Sequence, residues 1–366
     1  MPVEHAVLED AAAALSQPQE PQPSHTPFGI AVVGLGPVGW HVCERVSLRD
    51  DAFLAAVWDV DPRRQQVAAE QGWPASAALA DLWQTSRVEG VIIDAPLPSR
   101  APLVRQALAA GKHVLAEPPL AEHPTTAADL YATAAQQGVS LWCRSLRRWD
   151  EDFAAAISAF RSGRLGLLHT VRFLRADWAP WAGADEPDRA DAAGETFARL
   201  VPPVLDQLSE FVELNPTDVW VRRLPISDGF VLELTLGHQT VVQIDLRRRA
   251  LAGLHTGWIL EGHQGGYRGG RLFTLTPEGE LIDEPVRTEP LPTDPWLSLW
   301  LRHCRSSLPP AEALRGRQVV ALFQRLREAL ALVPSGDFAL GAPSASGQNR
   351  LQSTGPDGLY PPAAEP

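Results

Sequence analysis

Apolar residues along this chain fall into two rhythms. From about residue 28 to 147, short uninterrupted apolar runs alternate with segments of helical period. Ile30, Ala31, Val32 and Val33 form the first run, as expected of a strand buried on both faces. Phe53 to Trp58, Gly90 to Ile93, His113 to Ala116 and Val139 to Cys143 repeat it. Helices are predicted between them: one after Gly39, one opening at Pro62, and one near Ala77 to Thr85. Two more cover about Ser99 to Ala110, stopped by Gly111, and Thr125 to Gln137. Such alternation predicts a parallel sheet with helices on both faces.

From about residue 148 the rhythm changes. A helix over Asp150 to Arg161 leads through Gly163 and Gly166 to a long strand, Leu168 to Trp178, and a further helix follows near Phe197 to Leu214. Strands then succeed one another to about 284, with turns expected at Ser227-Asp228-Gly229, Gly237-His238 and Gly265-Gly266. Within Val231 to Leu246, Leu232, Leu234, Leu236, Val242, Ile244 and Leu246 share one side, while Glu233, Thr235, Gln243 and Asp245 share the other. This period of two predicts a mainly antiparallel sheet with one face on a core and one face open. Helices over about Pro295 to Ser306 and Ala311 to Leu332 are expected to close this second domain. The fold class is therefore α/β followed by α+β, with domains over residues 28–147 and 148–335. Residues 1–27, Ala-rich then Pro/Gln-rich, and 336–366, without apolar period, are expected to be disordered tails.

The loop after the first run carries the chemistry. Gly34-Leu35-Gly36-Pro37-Val38-Gly39 is a G-x-G-x-x-G between strand and helix. Gly34 suits the tight turn, Gly36 lets backbone approach a pyrophosphate, and Gly39 lets the helix pack close to the strand. The helix start adds free N–H groups and its dipole. Asp59 ends the second strand about 20 residues beyond the last glycine, where an acid accepts ribose hydroxyls. Glycine loop and acid at this spacing predict a Rossmann dinucleotide site. Asp59 favours NAD over NADP because a carboxylate repels a 2′-phosphate, although Arg63 and Arg64 offer that phosphate a partner.

Composition narrows the field. A net charge of −12 argues against nucleic acid and anionic membranes as partners, since either needs a basic surface. Cys43, Cys143 and Cys304 have neither metal-ligand spacing nor a disulfide framework, which fits a reducing cytoplasm; no metal site is expected. Lys112 is the only lysine.

The arrangement over residues 28 to 333 resembles the Gfo/Idh/MocA family of glucose–fructose oxidoreductase and inositol dehydrogenase-like proteins. The likeness rests on the glycine loop, on VEGVIIDAPLPSRAPLVRQALAAGKHVLAEPPLAE, on GRLGLLHTVRFLRADW, and on PAEALRGRQVVALFQRLREAL. It implies nicotinamide-dependent oxidation of a sugar or cyclitol hydroxyl, with hydride transfer and a nearby base. It implies cofactor contacts from Gly34, Leu35, Gly36, Pro37, Val38, Gly39, Asp59, Ala95, Pro96 and Glu117. A small-molecule substrate and a homo-oligomer joined through the open sheet face are also implied.

The proton-handling positions depart from the family pattern. Its Glu-Lys-Pro reads Glu117-Pro118-Pro119, its helix acid and histidine read Arg199 and Pro203, and only the last acid, Asp206, is kept. Its Thr-Pro-x-x-x-His reads Ala95-Pro96-Leu97-Pro98-Ser99-Arg100. Proline cannot titrate, and an arginine stays charged near neutral pH. Arg100 and Arg199 are instead candidates to hold a carboxylate or phosphate of the substrate. Asp206, Glu117 and His123 remain as candidates for proton work, each with a bland alternative: structural partner, positioning group, solvated loop histidine. His169 reads best as a satisfied strand histidine, and Trp178, Trp181 and Asp177 either line a substrate cleft or belong to core and loop. Two readings stand together: an oxidoreductase with non-standard proton handling, and a non-catalytic binder of a dinucleotide or sugar-like ligand. A purely structural partner protein is a third, favoured if Trp40 blocks the glycine loop.

Overall fold

The computed structural model describes residues 26–143, 145–176, 192–224, 229–237, 240–247, 257–288, 294–306 and 312–331. All belong to a compact unit, Met1–Val333. A second unit, Pro334–Pro366, lies outside the described residues, as do residues 1–25 and the segment holding Asp177, Trp178 and Trp181.

Five strands form the first sheet: β1 (Phe28–Val33), β2 (Ala52–Trp58), β3 (Gly90–Ile93), β4 (His113–Ala116) and β5 (Leu141–Cys143). Their order is β2-β1-β3-β4-β5 and every pairing is parallel. Register places Val33, Trp58, Ile93, Ala116 and Cys143 in one row across the carboxyl edge. The next residues of the first four strands in sequence are Gly34, Asp59, Asp94 and Glu117. Because β2 and β3 flank β1 on opposite sides, the chain reverses direction between β1 and β3, where ligands of such sheets bind.

Alternating side chains of these strands feed two cores. Ala31, Val33, Val91, Ile93, Val114 and Ala116 pack with Val104, Leu108, Leu130 and Ala134 of α4 (Leu97–Ala109) and α5 (Pro124–Gln137). On the other face, Ile30, Val32, Ile92, Leu115 and Trp142 pack with Val42 and Val46 of α1 (Pro37–Ser47). The short helices α2 (Pro62–Glu70) and α3 (Leu79–Gln84) contribute Ala68 and Leu82.

After a 3₁₀ turn (Leu146–Trp149) and α6 (Glu151–Arg161), β6 (Leu168–Ala176) enters the second sheet. Next come α7 (Ala192–Leu208), β7 (Pro216–Leu224), β8 (Gly229–Leu236), β9 (Thr240–Arg247) and β10 (Gly257–Gly262). β11 (Gly265–Arg268), β12 (Arg271–Leu275) and β13 (Leu281–Pro285) complete an eight-stranded sheet ordered β13-β12-β11-β10-β6-β9-β8-β7. β6 and β9 pair in parallel and the other pairs are antiparallel. Leu232, Leu234, Leu236, Val242, Ile244 and Leu246 all point into its core, as their period predicts. Glu233 and Gln243 lie on the open face in register with Trp220 and Arg172.

Several expectations shift. Gly265-Gly266 is not a turn: both residues pair within β11, and a Cβ at Gly265 would lie 2.7 Å from the Phe273 carbonyl oxygen, so the glycine permits close strand contact. The helix expected from Phe197 to Leu214 runs from Ala192 to Leu208 and continues through Pro202 and Pro203. Helix α8 (Pro295–Arg305) does not close the second sheet. Its Trp296, Leu297, Trp300 and Leu301 are buried against the parallel sheet, and Trp300 fills the space over Gly90, where a Cβ would lie 2.7 Å from its ring.

Helix α9 (Glu312–Ala331) joins the two layers: Val320 enters the parallel-sheet core, while Val319, Leu322, Phe323 and Leu326 enter the other. Its Gly316 lies against Tyr131 of α5, where a Cβ would come 2.0 Å from the phenol oxygen and 2.9 Å from Cζ. Alanine gains about 1 kcal/mol of helix propensity over glycine, but overpacking a buried ring costs about 1–3 kcal/mol. Gly316→Ala is therefore expected to lower the urea midpoint; an unchanged or raised midpoint would show that Tyr131 yields freely.

Candidate functional site

The carboxyl edge of the parallel sheet gathers the candidate residues. Gly34 turns the chain out of β1 at φ +96°, a conformation open to glycine, and a Cβ there would lie 1.8 Å from the Asp94 carbonyl oxygen. A Cβ at Gly39 would lie 1.9 Å from the Gly34 carbonyl oxygen, so α1 docks on the loop only with glycine at both positions. Pro37 opens the helix, where its missing N–H removes no helical bond, and the Trp40 N–H donates to the Gly36 carbonyl at 2.8 Å. Val38 is exposed beside it.

Asp59 is 3% exposed and braces this loop. One carboxylate oxygen accepts the Leu35 N–H at 2.6 Å and the other the Asp61 N–H at 2.8 Å, while Arg64 stands 3.5 Å away. A carboxylate has about four acceptor positions, so room remains for ribose hydroxyls. Trp40 does not seal the cradle by stacking over it. Its ring meets Trp73 at 4.5 Å between centroids, and its Nε1 donates to Glu44 one turn along α1.

After β3, Asp94 accepts the Gly39 N–H at 2.9 Å through Oδ2. Ala95 is buried, and Pro96 is exposed as the residue before α4. Arg100, expected as a substrate-anion fork, is placed otherwise. Nε and Nη2 donate to the Ala95 carbonyl (3.2 and 2.8 Å), and Nη1 donates to the carbonyls of Glu117 and Pro119 (2.9 and 2.8 Å). Buried, with four of its five N–H groups on backbone carbonyls, it clamps the loop after β3 to the loop after β4.

Glu117 begins that second loop, ahead of Pro118 and a cis Pro119. It is half-buried, and one carboxylate oxygen accepts the Leu146 N–H at 2.9 Å. Burial pushes its pKa up to about 7; the Asp206 and Asp94 carboxylates push the same way, and the Leu146 N–H and Arg100 pull back. Asp206 is not available as a base. Its Oδ2 accepts the Ser145 N–H (2.9 Å) and Arg148 Nε (2.6 Å), and its Oδ1 accepts Arg148 Nη2 (2.9 Å). Burial alone would lower the pKa of Arg148, but Asp206 and Glu210 outweigh it and raise it. Glu210 also meets Arg315 at 2.6 Å and Arg161 at 3.6 Å. This network ties the 3₁₀ turn to α6, α7 and α9.

The remaining candidates stand apart. His123 is exposed at the residue before α5, and its side chain does not cap that helix. His169 is exposed on β6 beside Thr170. Arg199 is exposed on α7, one turn before Pro203. Lys112 donates to the carbonyls of Thr85 (2.9 Å) and Val88 (2.8 Å) at the opposite edge of the sheet. Among the described residues no group of three or more His, Cys, Asp or Glu could hold a metal, and no helix is long and apolar enough to cross a membrane. The structure adds Asp94, Arg148 and Glu210. Of these only Asp94, an acid closing an apolar run as Asp59 does, leaves a signal in the sequence.

Residues 28–145 match the family described as oxidoreductase family, NAD-binding Rossmann fold (Gfo/Idh/MocA). Over that segment the chain is similar to the Gfo/Idh/MocA family. Among its relatives, an inositol 2-dehydrogenase of Rubrobacter xylanophilus is 36% identical over 142 residues, 38% of this chain and 41% of that protein. A myo-inositol 2-dehydrogenase of Thermotoga maritima is 28% identical over 155 residues, 41% of this chain and 46% of the relative. The chain thus matches less than half the length of either. The fold is shared with an NAD-binding protein from Listeria innocua at a TM-score of 0.71 and 21% identity, covering 84% of this chain and 95% of that one.

Removing one partner of a buried charge pair costs about 3–5 kcal/mol. Asp206→Ala is expected to destabilise the fold by about that much in urea unfolding; an Asp206→Ala variant as stable as the parent would show that Glu210 alone neutralises Arg148.

Proposed function

We propose that this protein is an NAD-dependent oxidoreductase acting on a secondary hydroxyl of a polyol or sugar, with Glu117 as its proton-handling group. The observation that carries this reading is the glycine cradle of Gly34, Leu35, Gly36, Pro37, Val38 and Gly39, braced by Asp59 at the carboxyl edge of a parallel sheet. Glycine at 34 and 39 lets strand, loop and helix close to backbone contact, the compact turn that such a cradle requires. Asp59 would hold the adenosine ribose and disfavour a 2′-phosphate, while Arg64, drawn toward Asp59, is poorly placed to reward one. Ala95 and Pro96 would border the cofactor on the next loop. The names of the inositol dehydrogenase relatives favour a cyclitol or sugar as substrate.

Nicotinamide, when bound, takes hydride from an alcohol carbon or returns it. Glu117 would accept the hydroxyl proton in the oxidative direction and return it in the reductive one. A carboxyl with a pKa near 7 holds either state at neutral pH, as a group serving both directions requires. Its ionised form grows as pH rises through about 7, so oxidation should quicken over that range and reduction slow. Glu117→Gln keeps an acceptor for the Leu146 N–H and removes the titration. It is expected to bind NADH like the parent and to lose at least tenfold in kcat on a polyol and sugar panel. A variant with unchanged kcat would remove Glu117 from the reaction.

One observation favours a second reading, in which the protein binds the dinucleotide without turnover. Pro118 and Pro203 stand where the resemblance would place a lysine and a histidine, and Asp206 is held by Arg148 and the Ser145 N–H. Binding of NADH with no turnover by the parent on the whole panel would decide for it.

The open face of the eight-stranded sheet is the natural surface for a homo-oligomer. Trp220 is 49% exposed there beside Glu233 and Gln243, flanked by the Arg172–Glu261 and Arg247–Asp245 pairs. Light scattering is expected to give a multiple of the chain mass, reduced in Trp220→Asp. A monomeric parent would remove this proposal.

A further inference from the structure

The second glycine of a dinucleotide loop leaves room for the pyrophosphate. In this protein that room holds a carboxylate: a Cβ at Gly36 would lie 3.1 Å from Asp94 Oδ2, and one at Gly39 3.4 Å from the same oxygen. Asp94 also takes the Gly39 N–H, and Pro37 has no N–H to offer. The Leu35 N–H is held by Asp59. Of the donors from Leu35 to Gly39, those three positions contribute none to a phosphate, and an acid faces the gap.

We propose that Asp94 makes dinucleotide binding proton-linked, its carboxyl taking up a proton as the pyrophosphate enters the cradle. This rests on the reading of the glycine loop as a dinucleotide site. The physical reason is like charge: an incoming pyrophosphate disfavours the ionised form of a carboxyl against its path. The neutral acid keeps an oxygen to accept the Gly39 N–H and gains an O–H to donate toward a phosphate oxygen. A proton taken up on binding requires affinity to fall as pH rises, by at most tenfold per pH unit for one group.

The charged groups that act on Asp94 set where this occurs. Burial is the largest influence and raises its pKa, and Asp59 at the end of β2 adds to that. The Gly39 N–H, Arg100 on α4 and Arg64 on α2 act the other way. Glu117 at the end of β4 interacts with it as a like charge. Arg100 is engaged with four backbone contacts, so it cannot swing over to neutralise the carboxylate. The titration therefore begins from a carboxyl whose ionised form burial already disfavours.

The test is NADH titration of the full chain by fluorescence from pH 5.5 to 8.5, with calorimetry in buffers of different ionisation enthalpy to count protons. The parent is expected to lose about tenfold or more in affinity across that range and to take up a fraction of a proton at neutral pH. Asp94→Asn, which keeps the acceptor for Gly39, is expected to bind more tightly than the parent at pH 8 with a flattened profile. A flat parent profile with no proton uptake, or an unchanged slope in Asp94→Asn, would overturn the inference while leaving the cofactor reading intact. No NADH binding by the parent at any pH would sink both. The calorimetric proton count uses the parent alone, and a count of zero overturns the inference even if the variant does not fold.

Discussion

A buried guanidinium sits where the two sheets of this protein meet. Arg148 follows the last strand of the parallel sheet and points into α7, where it holds Asp206 with two nitrogens and reaches Glu210 with a third. Glu210 is shared with Arg315 and Arg161, so one charge cluster fixes the 3₁₀ turn, α6, α7 and α9 together. Burying such charges carries a desolvation cost of several kcal/mol per ion, recovered only when geometry is good and every lone pair is met. The price of that geometry is chemical: Asp206, a candidate for proton work in the sequence, becomes part of the frame.

The same substitution of structure for chemistry recurs at Arg100. Four contacts to backbone carbonyls bind the loop after β3 to the loop after β4, which are the two loops that carry Ala95, Pro96, Glu117 and Pro118. A guanidinium suits this role because it presents several donors in a rigid plane and keeps its charge when buried. What remains titratable at the carboxyl edge is a set of acids placed by register, each the residue after an apolar strand. Asp59 is held by backbone donors, whereas Asp94 and Glu117 are both raised by burial. The edge thus pairs a cradle for a polyanion with two carboxyls whose charged forms burial disfavours.

Much of this was legible in the residues. Ile30 to Val33, the glycine loop and Asp59 are close in sequence, so local spacing was enough to place strand, turn and helix. The alternation of Leu232 to Leu246 correctly separated core from open face. Long-range partnerships were not legible. The apolar stripe of Trp296, Leu297, Trp300 and Leu301 announced a buried face but not which sheet it would cover. Arg100 read as an open cation because nothing local shows that three carbonyls converge on it. Gly265-Gly266 read as a turn because glycine marks both reversals and close backbone contact, and only the pairing with Phe273 and Thr274 tells them apart.

Lys112 carries one last consequence. It is the chain's single lysine, and its ammonium is buried with two carbonyls at the far edge of the parallel sheet. The folded surface therefore presents no lysine amine. Acylating reagents, amine-directed crosslinkers and enzymes that acetylate or ubiquitinate lysine find no accessible side chain to modify while the fold is intact. Reaction at Lys112 would instead report opening of the sheet edge that holds it.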